Sequence, residues 1–214
     1  TGNLFNPNIF FFFFARRFAG YKRADLLLHD KVRFEKLLNN PKYPVQIIWA
    51  GKPYPMDYSA ISTFNTLVEE SKYYKNMAVL TGYELSLSKS LKQGSDLWLN
   101  NPRVPREASG TSGMTAAMCG SVNLSTDDGW IPEFAKNGIN GFVTPQADYD
   151  NTSVYDQDNF DLENLYQVLE NEILPMYYDR PDEWRKVQQN AMDDVKLAFN
   201  SDRMADEYYQ QIYQ

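Results

Sequence analysis

The chain has 214 residues, enough for one domain with a sizeable core. Hydrophobic residues make up 43% and charged residues 23%, the balance of an ordinary globular protein rather than a disordered or fibrous one. A net charge of −7 argues against nucleic acid as the main partner, and no apolar run approaches the ~20 residues of a membrane span.

Residues 9–15 form a continuous apolar run with five consecutive phenylalanines, Phe10 to Phe14, as expected of a buried parallel strand. The run is far too short to span a bilayer and lacks signal-peptide flanks. Arg16, Arg17, Lys22 and Arg23 follow within eight residues that contain no acid. Residues 23–38 read as a helix, with Ala24, Leu28 and Val32 four apart and Leu27, Phe34 and Leu38 widening the face. His29, the only histidine, falls in it and reads as a structural or surface residue. Residues 45–50 are the next strand, stopped by Gly51 and followed by Lys52; 58–74 read as a helix. Residues 77–81 form a third strand, stopped by Gly82, before a short helix at 85–91 and a short strand at 96–99. A glycine-rich turn, Glu107-Ala108-Ser109-Gly110-Thr111-Ser112-Gly113, then leads into a helix over about 113–118. Residues 121–125 and 141–144 are further strands, and the polar stretch 146–158 reads as a surface loop or lid. Beyond it Leu165, Leu169 and Ile173 form one helical stripe; Trp184, Val187, Ala191, Val195 and Phe199 form a second.

Alternating strands and helices imply an α/β fold: a doubly wound, mostly parallel, Rossmann-like sheet over about 8–145, with a helical segment over about 160–214 in the same domain. Such sheets bind ligands beyond the carboxyl ends of their strands. Arg16 and Arg17, Gly51-Lys52, Gly82-Tyr83-Glu84 and the 107–113 turn all fall there. An arginine with a lysine five residues on can grip an oxyanion from two directions, and a carboxylate accepts paired hydroxyls. A helix start preceded by glycines supplies converging N–H groups. The composite suits a phosphate beside a sugar. The single cysteine, Cys119, rules out an internal disulfide framework, reads as a small buried filler and fits a reducing, cytoplasmic setting. No metal-ligand cluster is visible, and one histidine cannot build a His-rich site.

These motifs resemble a known family. Phe14 to Arg23 is similar to the FARRFATYKR segment of bacterial α-glucan phosphorylases, relatives of glycogen phosphorylase. Pro44 to Lys52 is similar to their PVQIIFAGKA, and Asp96 to Pro102 to DVWLNNP. Glu107 to Met114 matches EASGTSGM, and Asp128-Gly129-Trp130 resembles the LDGW that follows. The resemblance runs in order from about residue 8 to 145. It implies the C-terminal domain of a two-domain GT-B glycosyltransferase that moves glucosyl units between α-1,4-glucan and phosphate with retained stereochemistry. The N-terminal domain, which supplies much of the glucan site, would be absent; the chain starts Thr-Gly, without methionine, and reads as a piece of a longer protein that is inactive alone.

By resemblance Arg17 and Lys22 hold the reactive phosphate. Glu107, Ser109 and Gly110 bind the glucosyl hydroxyls. Thr111, Ser112 and Gly113 hold the phosphate of pyridoxal phosphate. Three positions depart from the pattern. Thr115 stands where the family carries the lysine that forms the imine with pyridoxal phosphate, so no covalent attachment is expected. Phe13 replaces a glycine, either crowding a ligand or packing the strand, and Cys119 replaces an asparagine. Two other readings stay open: a sugar-nucleotide transferase of the glycogen synthase kind, which needs no pyridoxal phosphate, and a non-catalytic glucan- or phosphate-binding module. Expected partners are α-glucan, phosphate or a sugar phosphate and the N-terminal domain, with no nucleic acid and no membrane.

Overall fold

The structure, a computed structural model, describes residues 5–213. Six strands build the sheet: β1 (Phe10–Ala15), β2 (Val45–Ala50), β3 (Met77–Leu80), β4 (Leu97–Asn100), β5 (Val122–Ser125) and β6 (Phe142–Val143). Every pairing is parallel, in the order β3-β2-β1-β4-β5-β6. The expected doubly wound α/β sheet is therefore present. Parallel strands need crossover connections, and the interleaved helices supply them: α1 (Lys31–Leu38), α2 (Tyr58–Glu70), α3 (Leu85–Gln93) and α4 (Thr111–Met118).

The phenylalanine run explains why β1 sits in the interior of the sheet. Successive side chains of a strand point to opposite faces. Phe10, Phe12 and Phe14 accordingly join Ile47, Trp49, Phe34 and Leu67 on one face. Phe13 joins Ile48, Trp98, Leu91 and Ala116 on the other. With 2% of its surface exposed, Phe13 packs the strand rather than lining a ligand site.

One long helix over 23–38 does not form. A short 3-10 turn, Leu26–His29, precedes α1, because the Asp30 side chain accepts from the Arg33 N–H and caps a new helix there. Val32, expected on the buried stripe, is 64% exposed. Arg23 has φ 49° and ψ 53°, a left-handed conformation that stops any helix from running through it.

The expected lid is also partly wrong. The loop ends at Ser153, whose hydroxyl accepts from the Asp156 N–H and caps α6 (Val154–Val168), so residues 154–158 are helical. A π-helical turn, Leu169–Ile173, joins α6 to α7 (Leu174–Asp179). The stripe of Leu165, Leu169 and Ile173 is buried as expected, and so are Trp184, Val187, Ala191 and Val195 on α8 (Pro181–Ala198). Cys119 is exposed, not a buried filler: it caps the C-terminal end of α4, and Ala116 and Ala117 take the buried positions. A short helix, α5 (Ile131–Phe134), follows β5, and the last helix, α9 (Ser201–Gln211), has no buried residue. Among the described residues no helix is long and apolar enough to cross a membrane.

Candidate functional site

The strand order reverses direction between β1 and β4, and a crevice opens beyond their carboxyl ends, where doubly wound sheets take their ligands. The segments leaving these two strands carry the residues singled out by sequence. Lys22 ends a 3-10 turn, Gly20–Lys22, in the segment after β1. Glu107 stands in the segment after β4. The two meet: Lys22 Nζ donates to Glu107 Oε2 at 2.7 Å, with side-chain exposures of 9% and 8%. Arg16 Nη1 lies 3.5 Å from the same oxygen. One carboxylate thus faces two buried cations. Burial pushes the Arg16 guanidinium's pKa down, against the opposing pull of Glu107. Its Nε and Nη1 have no hydrogen-bond partner, an orphaned pair of donors in a buried place.

The turn before α4 is held from below. The Glu107 N–H donates to Asp128 Oδ2 at 2.8 Å, and the Trp130 N–H donates to the Ser109 carbonyl at 2.9 Å. Gly129, at φ 63°, lies so close that a Cβ there would sit 2.1 Å from the Ser109 oxygen; only glycine permits this contact. Gly110, at φ 109°, turns the chain into α4. Gly113 lies in the first turn of the helix, where a Cβ would meet Asn123 Oδ1 at 2.7 Å and the Trp130 indole at 3.0 Å. Ser112 Oγ is 3.5 Å from Arg16 Nη2, a long contact that brings the helix start beside the buried guanidinium. The Gly113 N–H already donates to the Gly110 carbonyl at 3.1 Å, so the start of α4 offers the N–H groups of Thr111 and Ser112 and a positive dipole end beside Arg16.

Arg17 is placed differently. It is exposed and lines an open recess of about 510 Å³ with Lys52, Pro53, Tyr54, Pro55 and Tyr83. Among the described residues neither Arg17 nor Lys52 forms an ion pair. The structure thus joins Lys22 to Glu107 and sets Arg17 apart, in the recess that Lys52 also lines. Arg23 is turned away from the crevice into a buried network with Asp158 and Asp161. Sequence reading missed Arg16 as the second partner of Glu107 and Asp128 as the acceptor beneath it. The acidic residue in Asp128-Gly129-Trp130 was the one signal for the latter.

Thr115 is exposed on α4, and its hydroxyl donates back to the Thr111 and Ser112 carbonyls at 3.1 and 3.2 Å. It presents no amine. The donors around the helix start fit an anion such as a cofactor's phosphate; position 115 does not fit an imine.

No protein-family model matches the chain. The chain is 43% identical over its full length to an uncharacterized protein of Methanocaldococcus jannaschii, covering 39% of that protein. It is 40% identical to the maltodextrin phosphorylase of Thermococcus litoralis over 94% of the chain and 24% of the relative. It is 38% identical to the glycogen phosphorylase of Aquifex aeolicus over 94% of the chain and 29% of the relative. The chain thus spans between a quarter and two-fifths of the length of these relatives.

Proposed function

We propose that this chain, which belongs by sequence with the α-glucan phosphorylases as a segment of their length, is the phosphate- and glucosyl-binding part of a cytoplasmic glycosyltransferase that moves glucosyl units between α-1,4-glucan and phosphate. The observation that carries this reading is the buried Lys22–Glu107 contact across the β1/β4 crevice, with the start of α4 beside it. In this reading Lys22 holds the reacting phosphate in the crevice, and the exposed Arg17 side chain swings to it from the recess it shares with Lys52; each charge-assisted contact favours the oxyanion over water. Glu107, with Ser109 and Gly110, accepts from the hydroxyls of the transferred glucosyl unit. When that unit arrives, Glu107 exchanges part of its hold on Lys22 for sugar hydroxyls, which frees the ammonium for phosphate. The N–H groups of Thr111 and Ser112, together with the unpartnered Arg16 donors, would hold the phosphate of pyridoxal phosphate, while Gly113, whose N–H is bonded to the Gly110 carbonyl, shapes the turn. In this family that phosphate assists proton transfer when bound. Thr115 lacks the amine that an imine with the cofactor needs. The remaining glucan contacts belong to the N-terminal domain, for which the unmatched length of the relatives leaves room.

Titration of the chain with inorganic phosphate tests the anion site. Arg17→Ala and Lys22→Ala should each weaken binding by about 1.5–3 kcal/mol, the worth of a charge-assisted contact. Unchanged affinity in both variants removes the assignment.

A further inference from the structure

We propose that Asp158 is a positioning residue: its carboxylate locks the segment carrying Lys22 to the segment carrying Glu107. The two segments are distant in sequence and belong to different strands; backbone carbonyls join them directly, with Asn101 Nδ2 donating to the Arg23 carbonyl at 2.9 Å, and Asp158 ties their two arginine side chains. Arg23, directly after Lys22, holds a left-handed backbone conformation that a non-glycine residue adopts at a cost. Its buried guanidinium compensates by donating to three partners: Nε to the Asn101 carbonyl at 3.0 Å, Nη2 to the Pro102 carbonyl at 2.9 Å and Nη1 to Asp158 Oδ1 at 2.9 Å. Arg103, four residues before Glu107, approaches the same carboxylate. Its Nε donates to Asp158 Oδ1 at 3.0 Å and its Nη2 to Oδ2 at 2.6 Å, a two-point grip. The Arg103 N–H meanwhile donates to the Tyr21 carbonyl at 2.7 Å, beside Lys22.

Asp158 itself comes from neither segment. It lies on α6, whose Gln157 also donates to the Val104 carbonyl at 3.0 Å. Burial alone would raise the Asp158 pKa, yet Arg103 and Arg23 hold it below the usual carboxylate range, so the carboxylate stays charged in its place. Asp161, one turn on, supplies the contrast. It lies 2.7 Å from Arg23 Nη1 and pairs with no other arginine among the described residues. Two carboxylates thus neutralise the cluster, and only one of them bridges the two segments.

This inference rests on the phosphate reading above, and its test separates the two. Wild type, Asp158→Asn, Arg103→Ala, the double variant and Asp161→Asn are titrated with inorganic phosphate, and thermal unfolding is followed in parallel. Asp158→Asn and Arg103→Ala should each weaken phosphate binding about tenfold, because small misplacements of binding groups are costly. The double variant should be no weaker than the worse single one, since both changes cut one tie. Asp161→Asn should lose thermal stability yet keep phosphate affinity within about twofold. Arg103 is partly exposed, so Arg103→Ala keeps the test alive if Asp158→Asn fails to fold. Wild-type affinity in the folded members of the Asp158 and Arg103 pair, or affinity that merely follows melting temperature across all variants, overturns the proposal. If wild type binds no phosphate, the phosphate reading fails by itself. The nuclear magnetic resonance signal of the Lys22 ammonium, protected by Glu107, then decides the positioning role: it should vanish in Arg103→Ala and persist in Asp161→Asn, and persistence in both overturns it.

Discussion

At the scale of single residues, position 115 defines what the site can hold. The Thr115 side chain is exposed, and its hydroxyl hydrogen-bonds back to carbonyls of its own helix. A lysine there would start from an exposed position on the helix whose start carries the anion donors. Thr115→Lys, incubated with pyridoxal phosphate, should gain an imine absorbance and, after borohydride reduction, a pyridoxyl adduct at position 115 by mass spectrometry. Wild type should give none there. An adduct on wild type at stoichiometric yield would show that another lysine serves.

Asp96 offers a second residue-scale expectation, at the opposite end of the sheet. It accepts from the Phe11 N–H at 2.8 Å, and burial raises its pKa from 3.8 to about 6. The folded state therefore keeps a proton that the unfolded state releases, and this carboxyl's contribution to stability falls as pH rises through that window. Asp96→Asn retains an acceptor and has no proton to lose. It should be more stable than wild type by up to about 3 kcal/mol at pH 7, with the difference closing near pH 4. Denaturant unfolding at both pH values checks this, and a difference independent of pH would contradict it. The importance of Asp96 was not legible in sequence, because its burial depends on the packing of α7 against β1, where Tyr177 sets its ring edge-on to Phe10 at 4.9 Å. Lys22 and Glu107 were both legible as candidates through their motifs. Their mutual contact was not, because 85 residues separate them and only the strand order brings them together.

At the scale of elements, apolar runs that end at glycine were the clearest to read. Val45–Ala50 has the same bounds in sequence and structure because all six residues are buried and Gly51 ends the run. Residues 23–38 were misread because the helical spacing around Ala24 and Leu28 carries no sign that the Arg23 side chain is drawn to carbonyls on a distant segment. The end of the chain shows a different limit. Helix α9 has the periodicity of a packed helix, yet Met204 and Tyr208 on one stripe, and Ile212 capping its end, are all exposed. Phe199, by contrast, packs edge-on against Trp130 at 5.5 Å. Removing residues 201–214 should therefore shift the melting temperature by no more than about 2 °C, whereas Phe199→Ala should cost about 2 kcal/mol. A large loss on truncation would show that α9 packs onto the domain in solution.

At the scale of the whole molecule, the fold places its chemistry by topology. Two strands leave the sheet on either side of the switch point, and their following segments deliver a cation and a carboxylate to one crevice. Helix α4 turns its positive end to the same place, held there by Asp128, Gly129 and Trp130. The fold class was legible because alternation of strand and helix admits few other solutions. What lies across the crevice from this segment was not, because the relatives that share it are far longer than the chain. The most direct measurement is release of glucose 1-phosphate when the full-length gene product is given maltodextrin and inorganic phosphate, with a nucleoside-diphosphate glucose in a parallel reaction. Glucose 1-phosphate should form in the first reaction, with loss of that activity in Arg17→Ala and Lys22→Ala. No product from maltodextrin and phosphate, with glucosyl transfer from the nucleotide sugar, would contradict the phosphorylase reading.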